Sequence, residues 1–69
     1  MAEKLDFSMA YNGQDRAVKA RVFKTDEGAV YAVIDGALFN GWEVSAERLD
    51  VVIELLQDVR ESARRVANE

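Results

Sequence analysis

Lys19, Arg21 and Phe23 alternate along one stretch of the chain, and Phe39 follows after two glycine-marked turns. Alternate residues of a strand share a face, so two cations and an aromatic ring lie side by side, with a second ring nearby. Cations that follow a phosphate backbone, beside rings that stack on bases, are what single-stranded nucleic-acid binding requires. The same residue types serve as well in a protein interface, where the rings are buried and the cations snorkel at its edge. A second grouping is acidic. Asp50, Glu54, Asp58 and Glu61 recur at helical spacing and form a stripe that either docks on a basic partner or is the solvated face of an amphipathic helix.

For catalysis the chain is poorly equipped. It contains no His and no Cys, which removes imidazole acid–base chemistry, thiol nucleophiles, disulfides and the usual soft metal ligands. Its Ser and Thr hydroxyls are Ser8, Thr25, Ser45 and Ser62, none in a recognisable nucleophile setting. Lys4, Lys19 or Lys24 would act as a base only after strong burial. Asp26 and Glu27 fall in a turn without a calcium-loop pattern, and neither GxGxxG nor a P-loop occurs. The expectation is a non-enzymatic protein with no catalytic residue, no cofactor and no metal.

Sixty-nine residues with a net charge of −4 make one domain, 1–69, with a small core. A chain this short buries only about 60% of the surface that its unfolded form exposes, and such scaffolds are usually stapled by disulfides, a metal or a second subunit. Without Cys or His, the second subunit is the staple that remains. The acidic balance argues against non-specific binding to duplex nucleic acid. No apolar run reaches the ~18 residues of a membrane span, and the N-terminal residues lack a basic segment leading into an apolar one, so the expected location is the cytoplasm.

Four polar–glycine pairs punctuate the first two thirds: Asn12-Gly13, Glu27-Gly28, Asp35-Gly36 and Asn40-Gly41. Between them lie runs with period two, rich in β-branched and aromatic residues, that read as strands over about 4–11, 16–24, 29–34 and 37–44. From Ser45, a helix N-cap, the period becomes helical over about 46–66. The fold expected is α+β: a four-stranded antiparallel meander followed by one C-terminal helix packed on one face, ββββα.

Register follows from asking which turns make the apolar sets agree. With four-residue turns at Asn12–Asp15 and Thr25–Gly28 and a two-residue turn at Asp35-Gly36, one face collects Leu5, Phe7, Met9, Tyr11, Val18, Ala20, Val22, Tyr31, Val33 and Leu38. Leu49, Val52, Ile53 and Leu56 of the helix should cover it. The opposite, open face then holds Lys19, Arg21, Phe23, Val30, Ala32, Ile34 and Phe39, the expected partner-binding or dimer face. Asn40-Gly41 becomes a bulge that sends Phe39 to the open side and Trp42 to the helix. The helix carries a further apolar set, Val52, Leu55, Val59 and Val66, a candidate helix interface. Two broad apolar surfaces in so short a chain point to self-association.

A strand running straight into the helix, "WEVSAERLDVVIELL", behind a four-stranded sheet resembles the transcriptional coactivators of the positive cofactor 4 type. That resemblance implies a homodimer that binds single-stranded DNA on its sheets, here through Lys19, Arg21, Phe23 and Phe39. Composition points first to a small homodimeric accessory regulator or inhibitor, such as phages and mobile elements encode, acting by binding another protein. Single-stranded nucleic acid is the alternative partner, and no membrane partner is expected.

Overall fold

The computed structural model describes residues 2–69. Four strands, β1 (Ala2–Tyr11), β2 (Gln14–Lys24), β3 (Val30–Gly36) and β4 (Phe39–Ser45), form one antiparallel sheet in the order β1-β2-β3-β4, and α1 (Ala46–Ala67) follows. This is the α+β, ββββα layout that the periodicities predict. Each connection nevertheless differs in detail from the turn expected, and the differences decide which residues share a face.

The β1–β2 turn is the two-residue Asn12-Gly13, with Tyr11 opposite Gln14. Both turn residues have positive φ, 53° and 77°, the conformation whose twist suits a tight hairpin. Register therefore moves by two residues from the four-residue expectation, and every side chain keeps its face. The β2–β3 turn has the larger consequence. Thr25 remains at the strand end, its N–H donating to the Ala29 carbonyl at 2.8 Å. Asp26-Glu27-Gly28 forms a three-residue loop with Gly28 at φ 89°, and Lys24 pairs with Val30 rather than Ala29. A one-residue slip turns a strand over. Val30, Ala32 and Ile34 thus lie on the helix side, while Tyr31 and Val33 lie on the open side, the reverse of the expectation.

At the β3–β4 connection the tip is Ala37-Leu38, and Gly36 still belongs to β3 opposite Phe39. Gly36 is pressed against β2: a Cβ there would come within 2.2 Å of the Ala17 carbonyl oxygen, at a φ of 113°. The predicted bulge is present. Ile34 pairs with Trp42 and Gly36 with Phe39, so Asn40 and Gly41 share the place opposite Asp35. Gly41 has φ 62° and its N–H donates to Asp35 Oδ1 at 2.9 Å.

The interior is small. Val18, Ala20, Ala32 and Val44 are the buried apolar residues among those described, and no helix residue is buried. All four lie on the helix side of the sheet. Ser45 caps α1 as expected, its Oγ accepting the Arg48 N–H at 3.2 Å. Total accessible surface is 5952 Å², whereas a compact monomer of this mass would expose about 4,300 Å². The radius of gyration is 14.8 Å, against about 11 Å for a compact chain of this length.

Gly36→Ala should lower stability by about 3 kcal/mol, since backbone clash and unfavourable φ combine. Gly13→Ala, whose Cβ would meet nothing within 4 Å, should lose only about 1 kcal/mol, the cost of left-handed φ alone. Urea unfolding at one fixed protein concentration measures both.

Candidate functional site

The sheet presents two surfaces of different chemistry. On the open face, cross-strand partners align in rows: Lys4–Arg21–Val33–Glu43, Asp6–Lys19–Asp35, and Phe23–Tyr31 beside Ser45. Lys19 and Arg21 are exposed, as expected for that face, and Phe23 stacks on Tyr31 with ring centroids 6.2 Å apart and planes 23° from parallel. A depression of 560 Å³ lies between Lys4, Asp6, Lys19, Arg21, Val33 and Asp35. Lys4 and Arg21 sit directly opposite each other, a like-charge pair that costs a strand pairing stability unless an anion or solvent screens it. Four carboxylates, on Asp6, Asp15, Asp35 and Glu43, slightly outnumber the three cations of this face. Among the described residues the sole ion pair is Glu61–Arg65 at 3.9 Å on the helix, so the open-face charges, apart from Asp35 with its Gly41 N–H, are free to meet a partner.

Four members of the expected open face are placed elsewhere. Val30, Ala32 and Ile34 moved with the β2–β3 register. Phe39 is the fourth: it stacks on Trp42, centroids 5.9 Å apart and planes 11° from parallel, and both rings line a groove with Leu38, Val52 and Leu56. The bulge at Asn40-Gly41 exists, but Phe39 pairs with Gly36, which shares a face with Ala32 and Ile34. Phe39 therefore turned over with the same β2–β3 register. Tyr31 and Val33 are the open-face residues that the sequence reading put on the other side. The signal that could have found them is Thr25, whose hydroxyl accepts the Ala29 N–H at 3.1 Å and favours the shorter loop.

The helix side is apolar and only partly covered. Leu49 and Val52 are half-buried against β3 and β4, while Ile53 and Leu56, also expected there, are 49% and 59% exposed. Leu55, Val59 and Val66 of the candidate helix interface are exposed, as are Asp50, Glu54, Asp58 and Glu61 of the acidic stripe. Far across the sheet, Leu5 and Phe7 lie on this same side, uncovered at 40% and 56%. No described helix is long and apolar enough to cross a membrane.

Comparisons with protein-family models, curated proteins and solved structures return no match for this chain. The resemblance to the coactivators therefore rests on layout alone.

Trp42 is the one tryptophan and reports directly on the Phe39 contact. Phe39→Ala should red-shift its emission and lower stability by about 1–2 kcal/mol, the loss of a half-exposed ring and its stacking. An unchanged emission spectrum would return Phe39 to the open face.

Proposed function

We propose that this protein is a small non-enzymatic interaction module, a homodimer that regulates or inhibits another protein by presenting the open face of its sheet. The observation that carries the reading is the make-up of that face. A stacked aromatic pair, Phe23 and Tyr31, stands beside cations and carboxylates that form no ion pair among the described residues. An aromatic anchor ringed by unpaired charges of both signs is the chemistry of a protein-recognition patch. The near-equal count of cations and carboxylates favours a protein over a polyanion, because binding to a phosphate backbone grows with the number of cations it can neutralise. An acidic helix stripe on the other side of the molecule leaves a second surface for a basic partner.

Single-stranded nucleic acid is the second reading, and the Phe23–Tyr31 stack next to Lys4 and Arg21 is what favours it. A labelled oligonucleotide titrated at two salt concentrations separates the two. The protein-binding reading predicts no salt-sensitive complex; a complex that weakens steeply with salt would replace it. For the protein partner, Arg21→Glu combined with Phe23→Ala should weaken capture from the native host by at least about tenfold, as loss of a central anchor does. Capture that survives both changes would remove the open face as the site.

A further inference from the structure

The helix side of the sheet ends in two prongs that point the same way. Val52 and Leu56 share a groove with Trp42, Phe39 and Leu38, so α1 runs back along β4 towards the β3–β4 tip. Leu56 reaches that tip, and three further turns, about 16 Å of helix, extend beyond it. The β1–β2 hairpin overshoots in the same direction. Strand β3 pairs with β2 only from Lys19 onward, whereas β1 and β2 stay paired to Tyr11 and Gln14. Alternation along β1 puts Phe7, Met9 and Tyr11 on the helix side of that hairpin. This surface, apolar on β1 with Arg16 and Gln14 opposite Met9 and Tyr11 on β2, faces the space beside the projecting helix, with no third or fourth strand below the gap. The longest dimension of the molecule, 50 Å, reflects these projections.

The helix prong has its own pattern. Leu49, Val52, Leu56, Val59, Ala63 and Val66 alternate three- and four-residue steps, the spacing of a helix seam that packs on another helix. The first members of that seam sit on the sheet, while Val59 and Val66 are 55% and 65% exposed. Asp50, Glu54, Asp58 and Glu61 occupy the far side of the helix, so a neighbour on the seam would bury none of these carboxylates.

We propose that the cleft between the hairpin and the helix receives the projecting helix of a second copy of this chain. The two helices lie antiparallel about a two-fold axis, and each covers the other chain's Phe7 and Met9. This rests on the homodimer element of the reading above and assigns its interface to the helix side, which leaves the open face to the regulated partner. The area supports a second copy as the occupant. Each chain exposes about 1,600 Å² more than a compact monomer would, and two chains shedding that much would bury an area in the range of obligate homodimers. Reciprocity supports it as well, because a two-fold interface lets two different patches on one chain meet their counterparts on the other.

Sedimentation equilibrium on the unmodified chain tests the proposal. The expected result is twice the 7.7 kDa chain mass throughout the micromolar range; a monomer there overturns it. Val59→Asp and Phe7→Asp, on opposite prongs, should each weaken the dimer by on the order of a hundredfold, since each would bury an unpaired charge. Far-UV circular dichroism at high concentration checks that the variants still fold. Val59→Ala, too mild to unfold an exposed helix position, should still weaken the dimer measurably. A dimer unaffected by Phe7→Asp would overturn the cleft arrangement. Arg21→Glu, on the open face, should leave the mass at that of the dimer, so a failed partner capture and a failed dimer are read separately.

Discussion

The loop between β2 and β3 closes on Thr25 through three hydrogen bonds, and that closure decides which residues of β3 lie beneath the helix. The Thr25 N–H donates to Ala29, its carbonyl accepts from Gly28 at 2.9 Å, and its hydroxyl accepts from Ala29. Gly28 supplies the left-handed residue that a three-residue loop needs. From that point the register fixes Ala32 and Ile34 on the helix side and Tyr31 on the open side. The stacked pair Phe23–Tyr31 exists because of it, and so does the row that runs from Leu5 through Ala20 and Ile34 to Trp42. A loop one residue different would exchange those faces.

That row also shows what the chain lacks. At one end Trp42 is sheltered by Val52 and Leu56; at the other Leu5 is bare. One helix of about 10 Å width covers two strands of the four. The small interior, of two alanines and two valines, reflects this geometry as well as the chain's length. A monomer of this shape leaves apolar surface on the hairpin and the helix at once, and the proposed second copy would bring matching surfaces to both. The open face differs in kind: polar rows, a single aromatic pair, and charges of both signs outside any ion pair.

The elements were legible because each carries a strong period. Strands alternate cleanly, Ser45 marks the helix start, and the bulge at Asn40-Gly41 follows from a glycine that has no turn to form. The dispersed face of β3 was not legible, because "AVYAVI" is apolar on both sides and gives no vote on its own orientation. Register there depended on whether Thr25 belongs to the loop or to the strand, a difference decided by the three hydrogen bonds that close the loop on Thr25. Phe39 was misplaced by the same slip, because it pairs with Gly36 on the face of Ala32 and Ile34. The tip itself also differs: Asp35-Gly36 reads as a turn, yet Gly36 lies in close approach to Ala17, and the true tip is Ala37-Leu38, where Ala37 takes the left-handed φ of 50°. Lys19, Arg21 and Phe23 were placed correctly because their strand alternates without ambiguity.

The central claim is that each chain's projecting helix lies against the other chain's β1–β2 hairpin. An isotope-filtered NOE experiment on a refolded mixture of labelled and unlabelled chains tests it most directly. The account predicts intermolecular NOEs from Phe7 and Met9 to the methyl groups of Val59 and Val66. Intermolecular NOEs confined to the open face, from Phe23 or Tyr31, would contradict it, as would the absence of any.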